Sequence, residues 1–442
     1  MMTIRATLRW LSRWCLAPLL LLALYSPVHA QLVVEITRGD VQAVPIAVVP
    51  FGWEGQGSMP FDLASVIDAN LKRSGLFDPM RRADMVSRPT TADGVDFRDW
   101  RLLGTDVLVI GRMLERDAQN YEIQFQVFDI LRGQQLMGYR TSSDRRALRS
   151  TAHRISDLIY ERLTGVPGAF NTRIAYITVD GNPPNRTHRL IVADSDGENE
   201  AVIAESPQPI MSPAWSPDAR RLAYVSFEGG QSAVYVQTLR TGDRQRVSAR
   251  AGINGAPVFS PDGRRIALVL SRETGRPDIY TLDLSTQVLT RLTDSPSIDT
   301  EPEWSPDGRW IYFTSDRGGG PQIYRVPADA PGRAQRVTFE GRYNARPRLS
   351  SDGKRMAVVH NDGGNFRIAL VDLERNTTMV LTDGSLDESP SFAPNGAMLI
   401  YATRQGARGV LATVSADGRV RQRLTVRQGQ VQEPAWSPLL GP

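Results

Sequence analysis

The sequence has 442 residues, 41% hydrophobic and 23% charged, with both signs interspersed. That length suits two or three domains, each able to bury its own core, and the mixed charge excludes long disordered stretches. The single cysteine, Cys15, falls in the first thirty residues, so a chain processed after residue 30 has no disulfide, thiolate metal site or cysteine nucleophile.

Arg5, Arg9 and Arg13 precede an apolar run from Leu16 to Leu24, and Val28-His29-Ala30 follows as a small-residue cleavage pattern. Residues 1–30 therefore read as a cleaved signal peptide. The run is shorter than the roughly 20 apolar residues a membrane span needs. The mature chain is thus expected to be soluble, monomeric and without direct membrane insertion. Loss of the three arginines lowers the formal charge from +4 to +1, so the basic precursor is no argument for nucleic acid.

The next stretch, Gln31, Leu32, Val33, Val34, Glu35 and Ile36, has β character and can add to a sheet edge, its own or a partner's. Residues 31–165 as a whole read as a small α/β domain. Pro45–Phe51 and Asp106–Gly111 are apolar strands, while Tyr121–Phe128 alternates and has one wet face, with Gln135–Ser142 as its partner. Leu63, Val66, Ile67 and Leu71 mark one helix stopped by Gly75. Leu148, Ala152, Ile155, Leu158, Ile159 and Leu163 mark a second, stopped by Gly165. A short linker, residues 166–172, holds the two domains close.

From residue 173 the sequence repeats. A large apolar residue recurs at 215, 259, 304, 349, 392 and 436, at intervals of 44, 45, 45, 43 and 44, each time leading into a Ser-Pro-Asp-Gly-like turn. In that turn Pro presets φ and Gly tolerates positive φ at the exit. Four short strands per period of about 44 residues fit a propeller blade. Residues 173–205 carry three strands without a first, and Glu433–Ser437 supplies one. Residues 173–442 are therefore expected to form six blades, the sixth closed by the C-terminal strand and leaving no open edge.

In every repeat a proline stands two residues before the large apolar position: Pro213, Pro257, Pro302, Pro347, Pro390 and Pro434. The residues before them are Ser212, Ala256, Glu301, Arg346, Ser389 and Glu433. Proline favours extended geometry in the preceding residue, which predicts a uniform backbone displaying six varied side chains around the channel mouth. With Asn254, Gly255, Thr300, Asn344, Asp387, Glu388 and Gln432 they form the candidate binding surface, a polar ring. His153, His188 and His360 are scattered and read as packing or surface residues, with His188 in a hairpin loop. Asp194–Glu200 lacks the spacing of a twelve-residue calcium loop and falls where a hairpin turn belongs. No Gly-x-Ser-x-Gly elbow or phosphate-binding loop occurs. A propeller hydrolase or a small-ligand propeller is the alternative reading.

The strand Pro45–Phe51, the junction Leu163–Tyr176, the segment Ser206–Pro217 and Asn254-Gly-Ala-Pro257 together resemble the TolB family, periplasmic propellers of the Tol-Pal system, along the whole chain. The resemblance implies a non-enzymatic scaffold that supports outer-membrane integrity and constriction at division. It implies binding of Pal, an outer-membrane lipoprotein, at the channel mouth, where Ala256 and Thr300 match family contact positions and Glu301 adjoins them. It implies binding of TolA, an inner-membrane protein, through the segment from Gln31. The family also carries calcium in the channel, where Glu301, Glu388 and Glu433 would contribute. Ile253 stands where a family member has histidine.

Overall fold

The computed structural model describes residues 43–182, 184–271, 275–424 and 429–440. The signal segment and Gln31–Ile36 lie outside them. The N-terminal domain runs β1 (Val44–Val48), β2 (Gly52–Glu54), α1 (Leu63–Ser74), β3 (Phe77–Pro79), α2 (Phe97–Leu102), β4 (Val107–Glu115), β5 (Asn120–Asp129), β6 (Gln134–Asp144) and α3 (Leu148–Thr164). Its sheet has the order β3-β1-β4-β5-β6, with β2 also pairing β4. The apolar stripes of α1 and α3 cover one face, placing Leu63, Ile67, Leu71, Ile155, Ile159 and Leu163 against Val109, Ile123 and Phe125. Both helices end where expected: Gly75 and Gly165 sit in the left-handed region at φ 72° and 76°. The second face carries a smaller core around Trp100 of α2. The sequence reading did not place α2, whose six residues are too few to display a periodicity.

Residues 173–436 form six four-stranded sheets. Blades I to V follow in chain order, with inner strands Ile210–Trp215, Asn254–Phe259, Asp299–Trp304, Tyr343–Leu349 and Glu388–Phe392. Blade VI joins the two ends of the propeller: its inner strand, Gln430–Trp436, pairs antiparallel with Arg173–Asp180. Ser437 completes the closure, its N–H donating to the Arg173 carbonyl at 2.8 Å while its Oγ accepts from the Arg173 N–H at 2.9 Å. The cores lie between consecutive blades, as where Ala175, Ile177 and Leu190 of blade VI pack against Leu222 and Tyr224 of blade I. In the Ser-Pro-Asp-Gly turns the serine hydroxyl accepts the N–H five residues on, at 2.9 to 3.0 Å, and the exit glycine holds φ near 70°. Blade I has Ala219 at that exit and still adopts φ 55°, at a cost of about 1 kcal/mol.

The N-terminal domain packs on the face of the propeller that carries these turns. Asn395 of the blade V turn donates to the Pro167 carbonyl at 3.0 Å. The Asp194–Glu200 hairpin docks on α1 and α3: Arg149 pairs with Asp196 at 2.5 Å and Asp194 at 3.4 Å, and Arg73 donates to Ser195 Oγ at 3.2 Å. His153, Asp194 and Asp196 do converge, but the Arg149 guanidinium already supplies the positive charge between them. The acidic hairpin is an interdomain clamp. His188 is a correction: it lies on the strand Thr187–Asp194, buried between neighbouring strands, and not in a loop.

Two groups at this junction titrate with opposite signs. Burial pulls the His153 imidazole down to about 4, with Arg73 and Arg149 adding to the effect and Asp196 opposing it. The ring is neutral: Asn70 Nδ2 donates to its Nδ1 at 2.9 Å, and Arg73 fixes the Asn70 amide by donating to its Oδ1. A folded-state pKa depressed below 6.5 gives stability that is present at neutral pH and lost as pH falls toward 4. Burial pushes Asp157 up to about 6, although it accepts the Phe170 and Asn171 N–H groups at 2.7 and 3.1 Å. A folded pKa raised above 3.8 gives stability that is present in acid and lost as pH rises through 6. Each effect is of order 3 kcal/mol, so the two partly cancel in the wild type. His153→Gln is expected to leave the Asp157 term alone, and its urea midpoint should rise relative to wild type between pH 6.5 and 4.5. Parallel pH profiles for the two proteins would contradict this assignment.

Candidate functional site: the channel and its mouth

The inner strands run from the open mouth toward the N-terminal domain. Each breaks its pairing at the same place: the register shifts between Met211 and Ala214, Gly255 and Val258, Thr300 and Glu303, Ala345 and Arg348, Glu388 and Ser391, and Gln432 and Ala435. Every shift contains one of the six residue–proline pairs. Each of these inner strands is the edge strand of its sheet, and because proline cannot donate to the ladder it falls where the pairing bulges.

The conformation before proline differs from expectation. Ser212, Ala256, Glu301, Arg346, Ser389 and Glu433 have φ between 44° and 55°, and so lie in the left-handed region and not in the extended one. They are six of the ten non-glycine residues with positive φ among the described residues. The bulge imposes this: the extra residue must turn the strand to restore pairing beyond it, and that demand outweighs the local preference before proline. A non-glycine residue there costs about 1 kcal/mol or more. The strain is repeated in all six blades, and its product is a ring of re-aimed side chains.

That ring narrows the channel. The six residues and their prolines, except that Arg348 replaces Pro347, line a cavity of about 60 Å³. Arg346 stands at its centre. Its Nε donates to Glu301 Oε1 at 2.8 Å, one Nη donates to Ser389 Oγ, and the other lies 3.9 Å from Glu433 Oε1. Glu301 Oε2 accepts from Thr314 Oγ1 at 2.8 Å and from the Arg346 N–H at 3.0 Å. Glu433 Oε2 accepts from the Ser212 N–H. Burial opposes the Arg346 charge, but Glu301, Glu433 and Glu388 outweigh it and hold the guanidinium above its ordinary range. Below the ring the channel widens to about 310 Å³, lined by Trp215, Leu349, Phe392 and Trp436.

Above the ring, the residues expected to face a partner divide into two sets. Gly255, Thr300 and Glu388 are half-buried at the rim. Asn254 and Asn344 are fully buried, and their side chains are closed to a partner. Asn254 Oδ1 accepts from Ser248 Oγ at 2.7 Å and the Arg250 N–H at 2.9 Å, while Asn344 Nδ2 donates to Gln322 Oε1 at 2.9 Å and the Glu340 carbonyl at 2.7 Å. Both pin the loop that enters their blade. Period-two alternation along the strand turns these positions inward when their neighbours face the rim. Asp299, paired with Arg317 at 2.7 Å, and Asp387, bonded to Thr403, occupy the same position in blades III and V.

The sequence reading missed an apolar crescent on the same face. Ile253, Ile298 and Phe339 precede the inner strands of blades II, III and IV and are about half exposed or more, at 48%, 51% and 65%. Beside Ile253, Met211, Val225 and Phe227 line a groove of about 480 Å³. The signal was present as large apolar residues in turn-rich segments, where a loop has no packing use for them.

Fold and site together define a two-domain β-propeller protein whose most elaborated surface is a channel mouth with an apolar margin. The sequence matches the TolB amino-terminal domain over residues 32–136 and the TolB β-propeller domain over residues 160–440. It is 48% identical over 435 residues to the Tol-Pal system protein TolB of Xanthomonas oryzae, covering 98% of each chain, and 48% identical over 434 residues to that of Xanthomonas campestris, again covering 98% of each. A crystal structure of TolB from Acinetobacter baumannii superposes with a TM-score of 0.83 at 42% identity, covering 90% of this chain and 97% of the other. The chain belongs to the TolB family of Tol-Pal system proteins. Among the described residues, no helix is long and apolar enough to cross a membrane.

Proposed function

We propose that this chain is a periplasmic scaffold of the Tol-Pal system that performs no catalysis. It binds a Pal-like outer-membrane lipoprotein at the channel mouth and a TolA-like inner-membrane protein through residues 31–36. In this way it supports outer-membrane integrity and constriction of the envelope at division. The observation that carries the reading is the mouth itself: a rigid rim holding Gly255, Thr300 and Glu388 beside exposed Ile253, Ile298 and Phe339. Apolar anchors within a polar rim are the anatomy of a protein-binding patch. The two binding sites act as one exchange device if occupancy of the mouth alters the availability of the segment at residue 31, which requires a coupling free energy between them. The test is coprecipitation of the purified protein with a non-lipidated soluble domain of the lipoprotein and, separately, with the C-terminal domain of the inner-membrane partner. Capture of neither overturns the proposal.

A further inference from the structure

The channel carboxylates do not fit the calcium ion that the family resemblance implies. Calcium takes six to eight oxygen ligands at about 2.3–2.6 Å. Glu301 has both oxygens engaged by Arg346 and Thr314, and Glu433 Oε2 is engaged by the Ser212 N–H. Any ion placed between Glu301 and Glu433 would sit against the Arg346 guanidinium, which lies within 4 Å of both.

We propose that Arg346 is a built-in cation that occupies the place of a divalent ion in the channel and makes this protein independent of calcium. The position supports it. Arg346 comes from the bulge of blade IV and reaches Glu301 of blade III, Ser389 of blade V and Glu433 of blade VI. Glu433 carries the network on to blade I through the Ser212 N–H. One side chain thus ties together four neighbouring blades, and a fifth at one remove, as a multidentate ion would. A guanidinium suits the role because it is permanently charged and presents five donors in a fixed fork. Its left-handed backbone conformation aims it across the channel and not along the strand. At the interdomain clamp, likewise, an arginine supplies the positive charge between two carboxylates, Arg149 pairing with Asp194 and Asp196.

The test is a calcium chloride titration followed by calorimetry and by thermal melting, each against an EDTA reference. Wild type is expected to show no heat of binding and the same melting temperature in both buffers. Arg346→Gln removes the charge and leaves Glu301, Glu388 and Glu433 facing one another, so it should melt lower in EDTA. Calcium should raise its melting temperature by several degrees, as binding to the folded state alone requires. Adding Glu301→Gln should abolish that rise. Stoichiometric calcium uptake by wild type that is lost in the Glu301→Gln single variant would overturn the proposal. So would a folded Arg346→Gln protein that gains no calcium response. The wild-type titration decides the matter even if Arg346→Gln does not fold.

Discussion

Thr300→Arg is expected to lower capture of the lipoprotein by at least a hundredfold while the melting temperature stays within about 2 °C of wild type. Thr300 is half-buried at the rim of blade III, one residue outside the Glu301 bulge and two after the exposed Ile298. Arginine there projects a long cation across the surface that a partner would cover. The partner would have to bury that charge unpaired or draw back from the apolar crescent. Either outcome forfeits several kcal/mol, the loss typical of a central interface substitution. Folding should be spared, because the longer side chain can extend into open solvent and the strand pairing of Thr300 with Thr314 is a backbone matter. Measurement of affinity by calorimetry alongside a thermal melt separates the two effects. Unchanged affinity with an unchanged melt would move the binding site away from this mouth.

Removal of residues 429–442 is expected to cost more than about 5 kcal/mol, on the scale of a domain's whole stability. The deletion strips blade VI of its inner strand and leaves Arg173–Asp180 as an unpaired edge. It removes the Trp436 indole, whose Nε1 donates to Thr172 Oγ1 at 2.8 Å, and the Ala435 carbonyl that accepts from Trp215 of blade I at 2.9 Å. It also uncovers Tyr176, which is fully buried, and a bare edge beside exposed apolar surface invites aggregation. A propeller closes only once, so no neighbouring contact replaces what is lost. The truncated protein should lose its cooperative melt and elute as aggregate from a sizing column. A peptide spanning residues 429–442 supplied in trans should restore part of the transition. A truncated protein that melts near the wild-type temperature would show that closure contributes little.

Sequence made the architecture legible because each blade repeats one covalent instruction. The Pro-Asp-Gly turn is complete in blades II and III and altered at one position in blades I, IV and V, and the large apolar residue before it recurs six times at near-constant spacing, which leaves one way to close the ring. Gly75 and Gly165 were equally readable, since a helix stop at positive φ needs glycine. The bulges were not readable. Pro257 and its equivalents mark where pairing must fail, but whether the preceding residue stays extended or turns left-handed depends on the neighbouring strand. The burial of Asn254 and Asn344 also escaped, because a polar residue beside Gly255 or before Ala345 reads the same whether it faces solvent or pins a loop. The Arg346 network joins residues 45, 43 and 87 positions apart, and nothing local couples them. Asp194–Glu200 was readable as a hairpin turn, but its role as a clamp was not; only the docking of α3 shows that Arg149 pairs with Asp194 and Asp196.

Hydrogen exchange on the protein with and without the soluble lipoprotein domain tests the central claim most directly. Slowed exchange is predicted in the loops that enter blades II to IV, around Ile253, Ile298 and Phe339, and at the rim positions Gly255, Thr300 and Glu388, with the Ser-Pro-Asp-Gly face unchanged. Protection confined to the N-terminal domain or to the turn face would contradict a binding site at the channel mouth.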